Sequence, residues 1–352
     1  MRAVRLFSLL TLLFSPTLAL AISEQDYKAI YDLNVMPYYL QKQQAGTFEG
    51  VDGVPIHFVK FPSSTERAAL VLLPGRTESH IKYAEVFFDL RDAGFTIYAM
   101  DHRGQGFSGR TIDHPQKQHV KRFQDYVEDV RKLIDDVVRP AGHQRIFILA
   151  HSMGAGIATA LAESHPDIVD AMVLLAPMHE MVTGQYPEDV AALLAAGYVS
   201  AGQGEEYALG NGDRKENKFE ENKGTHSEAR FTQAEQLLKD HPDLVRGGVT
   251  FNWAHEAIQA TKALRNDASK LTTPVLIFTA GDDQTVRSSG HRAVCESALS
   301  CERIWVDGAL HEMLMEKDEI RDRVLNDALR YLADRIDGIP PKTKDAPLSC
   351  QT

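Results

Sequence analysis

Arg145-Ile-Phe-Ile-Leu-Ala-His-Ser-Met-Gly-Ala-Gly-Ile-Ala-Thr-Ala160 decides the fold of this chain. An apolar run, Ile146 to Ala150, stops at His151-Ser152-Met153-Gly154, and small and apolar residues follow at helical spacing (Ala155, Ile157, Ala158, Ala160, Leu161). That pattern is a strand, a sharp turn and a helix. A turn this tight strains the residue at its apex and leaves no room for side chains two positions to either side, hence the pattern G-x-S-x-G. Ala150 stands at the first glycine position, the smallest departure a side chain allows. The turn should project the Ser152 hydroxyl from the end of the sheet and aim the Met153 amide at the same space from a helix N-terminus. The plain alternative is a buried serine at an ordinary strand-to-helix junction.

Outward from this stretch, strands and helices alternate. Phe48 to Phe61 reads as two strands around an Asp52-Gly53 turn. Apolar runs at Ala68 to Leu73, Phe95 to Met100, Ala171 to Leu175, Pro274 to Thr279 and Arg303 to Val306 are further strands. Helical patterns cover Lys82 to Ala93, Phe123 to Val138 and Ile320 to Ile336. The expected fold class is α/β, with a mostly parallel central sheet and helices on both faces. Residues 22–45 should form an amphipathic helical extension, with Tyr27, Ile30, Tyr31 and Leu33 on its apolar side before Pro37. Core segments 46–178 and 271–338 flank an insertion at 179–270, and 339–352 reads as a loose tail. The insertion carries helical pieces at Val190 to Val199, Glu228 to Lys239 and Trp253 to Leu264, with no strand pattern. It is a lid or a separate domain; a lid is favoured, because ligand sites in such sheets lie at the strands' C-terminal ends.

The chain has 352 residues, 43% hydrophobic and 25% charged, enough for one large domain or two smaller ones. A net charge of -11 disfavours nucleic acid and anionic membranes as partners, and no Lys/Arg-rich run offsets it. Residues 1–21 read as a secretory signal: Arg2 and Arg5, a short apolar run from Leu6 to Phe14, and Ala19-Leu20-Ala21 as the cleavage site. An uncleaved N-terminal anchor is the alternative. The expectation is an exported protein, periplasmic or secreted, mature from Ile22. In an oxidising compartment Cys295 and Cys301 can pair, with Cys350 left over.

A serine nucleophile needs a base, and the base needs a carboxylate to fix its tautomer. Ala280-Gly-Asp-Asp283 follows one late strand and Gly308-Ala-Leu-His311 the next. Ser, Asp, His is the chain order of the α/β-hydrolases. Asp283 is preferred over Asp282 as partner for His311, both being plausible turn formers. The second oxyanion amide should come from Pro74-Gly75-Arg76, from Arg76 or else Gly75. The Arg76 side chain has two open roles, a structural salt bridge or contact with an anionic group on the substrate. Gly104-Gln-Gly-Phe-Ser-Gly109 matches a dinucleotide-binding pattern, yet Thr111 to Pro115 continues as loop where a helix should begin. No cofactor and no metal are expected.

Pro74-Gly-Arg-Thr-Glu-Ser79, Lys82-Tyr-Ala-Glu85, Asp101-His-Arg-Gly-Gln-Gly-Phe-Ser-Gly-Arg110, Phe123-Gln-Asp-Tyr-Val127, Ala150-His-Ser-Met-Gly154, Thr225-His-Ser227, Gly247-Gly-Val-Thr-Phe-Asn-Trp253 and His311-Glu312 together resemble the bacterial lysophospholipases related to monoacylglycerol lipases. The resemblance spans roughly residues 45 to 335. It implies an α/β-hydrolase with Ser152 as nucleophile, Asp283 as acid and His311 as base. Pro74 departs from the His-Gly loop common in the wider lipase pattern. The expected activity is cofactor-free hydrolysis of lipid esters with one acyl chain, with transient contact at a membrane surface and an oligomeric state the sequence leaves open. Leu193, Leu194 and Tyr198 of the insertion are the candidate acyl-binding residues. A serine aminopeptidase, holding a substrate amine on Glu205, Glu206, Glu220 or Glu221, and a catalytically silent binding protein are the alternatives.

Overall fold

A computed structural model describes residues 21–340. The signal sequence up to Leu20, Cys350 and most of the C-terminal tail lie outside the described residues. The described chain begins with α1 (Tyr27–Ile30), a π-helical turn (Tyr31–Val35) and α2 (Met36–Lys42). Pro37, which has no N–H to continue an α-helical ladder, falls in the first turn of α2 and does not end the helix. The wide π turn before it rotates the apolar face. Tyr27, Tyr31, Val35 and Tyr39 are buried, while Leu33, expected inside, is 75% exposed.

The sheet follows: β1 (Gln44–Glu49), β2 (Pro55–Phe61), β3 (Ala68–Leu73), β4 (Phe95–Met100), β5 (Ile146–His151), β6 (Ala171–Leu175), β7 (Val275–Ala280) and β8 (Cys301–Val306). Their order is β1-β2-β4-β3-β5-β6-β7-β8. β2 pairs antiparallel with β1 and β4, and every pairing from β4 to β8 is parallel. Strands β3 to β7 are buried along their whole length, as their unbroken apolar runs require of a sheet covered on both faces. At the β1-β2 connection, Asp52 and Gly53 take φ of 56° and 75°, the left-handed conformation that an Asp-Gly turn supplies.

Covering helices are α3 (Ala84–Asp89), α4 (Phe123–Lys132), α5 (Ser152–Ser164), α9 (Ser288–Ser297) and α10 (Asp318–Ile336), with α6 (Glu188–Ser200), α7 (Glu228–Asp240) and α8 (Phe251–Asp267) between β6 and β7. The helix expected from Lys82 to Ala93 is shorter, because a 3-10 turn at His80–Tyr83 precedes it. α7 begins where the Ser227 hydroxyl accepts from the Arg230 amide, and α8 where Thr250 accepts from Trp253. A disulfide joins Cys295 at the end of α9 to Cys301 at the start of β8.

The segment between β6 and β7 is tied to the core through Arg230, a fully buried arginine on α7. Its guanidinium donates to Glu85 at 2.9 and 3.1 Å, to Asp318 at 2.9 Å, and to the carbonyls of Glu316 at 2.8 Å and Ile22 at 3.0 Å. Tyr27 adds a 2.8 Å hydrogen bond to Glu85. One side chain therefore fastens the N-terminal extension, α3, α7 and the start of α10. Arg230→Met leaves Glu85 short of its main countercharge in a buried site, and the expected cost is about 3–5 kcal/mol of unfolding free energy. Urea denaturation checks this, and a loss below about 1 kcal/mol would put the network among ordinary surface pairs.

Candidate active site

β5 lies mid-sheet between β3 and β6, and its C-terminal end runs straight into α5. At that junction Ser152 takes φ of 49°, the strained apex that the sequence pattern demands, and its carbonyl accepts from the Met178 amide at 2.9 Å. Gly154 has no room for a side chain: a Cβ there would meet the Pro74 carbonyl oxygen at 2.4 Å and the Leu73 carbonyl oxygen at 2.5 Å. Close approach at Gly154 presses the start of α5 against the loop that follows β3.

Loops after β7 and β8 converge on Ser152. The Ser152 hydroxyl donates to His311 Nε2 at 2.8 Å, and His311 Nδ1 lies 2.7 Å from Asp283 Oδ2. An ionised carboxylate only accepts, so the proton sits on Nδ1 and Nε2 is left as the acceptor for serine. Asp283 Oδ1 accepts from the amides of Thr285 at 2.7 Å and Val286 at 3.1 Å. Burial pushes this carboxyl up, but the hydrogen bond and charge of His311 and the two amides outweigh it and hold Asp283 below its ordinary value. Asp282 is exposed, and its backbone amide donates to the Ala309 carbonyl at 2.9 Å, stitching the two loops together. The geometry thus separates two adjacent aspartates that the sequence left competing.

In the loop after β3, the Gly75 amide is already committed to Glu78 at 2.5 Å. The Arg76 amide donates to nothing among the described residues, and the Met153 amide lies in the first turn of α5, where helical partners are lacking. These two are the amides free to hold a developing oxyanion. The loop is braced by residues the sequence reading did not assign. Gln105 donates to the carbonyls of Gly75 at 2.8 Å and Glu78 at 3.0 Å, and His102 Nε2 lies 3.1 Å from the Pro74 carbonyl. The Gly104 to Gly109 stretch that mimics a dinucleotide motif therefore leads into loop and serves as this brace. Glu78 also takes Tyr83 at 2.6 Å and Lys82 at 2.8 Å, and His151 Nδ1 lies 3.3 Å from it. Burial works against the charge on both partners, yet Lys82 and His151 hold Glu78 well below the usual carboxylate range, and Glu78 raises His151. Every member of this cluster falls in a stretch that carries the family resemblance, and the Glu78 and Lys82 pair, four residues apart, was a further local signal.

His57, His80 and Asp101 are the one group of potential metal ligands found among the described residues. His80 Nδ1 faces Asp101 at 3.0 Å and its Nε2 faces the Tyr39 hydroxyl at 2.8 Å, while Asp101 also accepts from Ser79 and from the amides of His80 and Phe107. His80 and Asp101 form a buried hydrogen-bond node beside the Gly104 to Gly109 loop, and the half-buried His57 ring stacks on His80 with centroids 5.1 Å apart.

A cavity of about 490 Å³ opens beside Ser152. Met178, Leu194, Phe251, Trp253 and Ile258 form much of its wall. Of the three residues expected to line it, only Leu194 does so. Leu193, one position along α6, is turned to solvent and 75% exposed, because successive helical residues point about 100° apart. Tyr198 stands behind the wall, stacked on Phe251 with ring centroids 3.8 Å apart. Among the described residues, Arg76 is the only charged side chain on the lining.

The sheet order and the Ser-His-Asp arrangement at its C-terminal edge define an α/β-hydrolase. A solved carboxyl esterase from Bacillus coagulans superposes with a TM-score of 0.69 at 17% identity, covering 84% of this chain and 99% of that one. The chain belongs to the Hydrolase_4 family, described as serine aminopeptidase S33, which it matches over residues 64–318. It is 33% identical to lysophospholipase L2 of Escherichia coli strain K12 over 305 residues, 85% of this chain and 90% of that protein. It is also 26% identical to a monoacylglycerol lipase of Mycolicibacterium smegmatis, over 82% of this chain and 97% of that protein.

A fluorophosphonate probe should label Ser152. Asp283→Asn should slow labelling about 10³-fold or more, since the amide no longer fixes the His311 tautomer, whereas Asp282→Asn keeps the amide that stitches the loops and should cost little. Equal slowing in both variants, followed by intact mass, would contradict the assignment of Asp283.

Proposed function

We propose that this protein is a serine hydrolase that removes the acyl chain from lysophospholipids or monoacylglycerols through an acyl-enzyme. Ser152 is the nucleophile: its proton passes to His311 Nε2 as Oγ attacks the ester carbonyl. The amides of Met153 and Arg76 hold the oxyanion, and Asp283 holds the imidazolium that forms. Collapse of the tetrahedral intermediate gives the proton to the departing glycerol oxygen. His311 then activates water, and the fatty acid leaves. The segment 179–270 is the lid, placing α6 and α8 over the acyl chain.

The observation that carries this reading is the character of the cavity beside Ser152: a predominantly apolar wall that includes Met178, Leu194, Phe251, Trp253 and Ile258, and no carboxylate on the lining. An aminopeptidase needs a negative group to hold its substrate's free amine. Glu205, Glu206, Glu220 and Glu221, the candidates for that role, are all exposed and none lines the cavity. The hydrogen-bonded Ser152-His311-Asp283 arrangement weighs against a silent binding protein. Exposed Val182, Tyr186 and Leu209 lie on the cavity lining, which favours transient contact with a lipid surface. No helix among the described residues is long and apolar enough to cross a membrane. Export, read from residues 1–21, is supported by the Cys295 to Cys301 disulfide, since such bonds persist in oxidising compartments.

Leu194→Asp puts a charge on the acyl wall, where each buried methylene contributes about 0.8 kcal/mol. Long-chain lysophospholipid hydrolysis should fall at least about tenfold further than hydrolysis of a short aryl acetate, while Leu193→Asp, on the solvent side of α6, should alter neither much. No loss on either substrate in Leu194→Asp would place the acyl site elsewhere, whereas parallel loss on both would mark damage to the fold.

A further inference from the structure

Arg76 carries a charge that the fold leaves unanswered. Arg76 itself is half-buried, and three buried arginines hold carboxylates: Arg103 holds Asp129, Arg230 holds Glu85, and Arg321 holds Asp89, while buried Arg246 is taken up by backbone carbonyls. The Arg76 guanidinium has no ion pair and no hydrogen bond among the described residues; its one close partner is the Trp253 ring, 5.6 Å away at the centroid. The nearby Glu78 makes no ion pair with it, its oxygens taking Gly75, Tyr83 and Lys82 instead. Burial bears on the guanidinium strongly enough to lower its pKa, with Tyr126 and Glu78 only partly opposing it. The guanidinium lies over the Trp253 ring, and Arg76 lines the same cavity as Ser152, so donors that the ring does not use are available to a ligand there.

We propose that Arg76 is the subsite for the phosphodiester of a lysophospholipid, making such lipids the preferred substrates over uncharged monoacylglycerols. The proposal rests on the ester-hydrolase reading above. In a lysophospholipid carrying its acyl chain on a terminal carbon, glycerol's carbons separate the acyl ester oxygen from the phosphate oxygen. One residue can then serve both ends of the reacting molecule. Its amide meets the ester carbonyl and its guanidinium the phosphate, in the paired N–H geometry that arginine offers to such anions. A monoacylglycerol presents only a hydroxyl there and leaves the guanidinium unpaired. The remaining cavity wall is uncharged, so no other side chain on it competes for the anion.

The test compares kcat/KM for 1-acyl lysophosphatidylcholine and the 1-monoacylglycerol of the same chain, in the wild type, Arg76→Gln and Arg76→Lys. The wild type should prefer the lysophospholipid. Arg76→Gln should reduce that preference at least about tenfold, chiefly through KM, and Arg76→Lys should restore part of it. Equal loss on both substrates, as expected if Arg76 only shapes the loop or pairs with the released fatty acid, overturns the proposal. So does an unchanged preference. A measurement on the wild type needs no variant to fold: sn-glycero-3-phosphocholine should inhibit aryl acetate hydrolysis, and glycerol should not. Inhibition by inorganic phosphate without inhibition by glycerophosphocholine would overturn the head-group assignment. A wild type that cleaves monoacylglycerol but not lysophosphatidylcholine overturns this proposal and leaves the ester-hydrolase reading standing. Cleavage of neither removes that reading itself.

Discussion

The close approach of α5 to the loop after β3, permitted by the missing side chain at Gly154, is the constraint on which the site depends. Backbone oxygens of Leu73 and Pro74 occupy the space a Cβ would need. This contact ties the strained turn at Ser152 to the loop that carries the Arg76 amide, so that the proposed nucleophile and the proposed oxyanion donors belong to two elements locked together. Positions are held in advance, which is what electrostatic stabilisation of a transition state requires. Strain at Ser152 persists because the surroundings over-determine it: parallel strands flank β5, and the Met178 amide fixes the Ser152 carbonyl.

A second layer keeps the loop from moving. Gln105, His102, Glu78, Tyr83 and Lys82 are all engaged with it or with one another, and Lys82 reaches Glu312 beside His311 at 2.8 Å. His151, inside the turn itself, spans from Glu78 to the His311 carbonyl at 3.2 Å. Through these contacts the loops after β3 and β8 and the turn from β5 into α5 behave as one polar unit. Most charges of this acidic chain sit in such pairs or face solvent. Arg76, half-buried and without an ion pair among the described residues, lies on the cavity beside the serine.

Elements with strong local patterns were legible in the sequence. Unbroken apolar runs marked β3 to β7, and the tight turn at Ser152 and the Ser, Asp, His order marked the site, because each is dictated by residues near one another in the chain. What the sequence did not carry was direction around a helix axis and pairing across long separations. Leu193 and Leu194 are equivalent by composition, and only the packing of α6 on α8 turns one inward. Leu33 looked like part of an apolar stripe, but the π turn before Pro37 shifts the face of the N-terminal helix. Wall residues Phe251 and Trp253 lay in a stretch that resembled known lipases, yet nothing local said that α8 faces the serine. The unpaired state of Arg76 could not be read at all, since it depends on where every carboxylate ends up.

Trapping of the acyl-enzyme tests the central claim most directly. Rapid acid quench of the protein during turnover of a long-chain lysophospholipid, followed by peptide mapping, should find the acyl group as an ester on the peptide containing Ser152. It should be absent in protein whose serine was first blocked by a fluorophosphonate. Sustained hydrolysis by the blocked protein, or an acyl group carried on any other residue, would contradict the account.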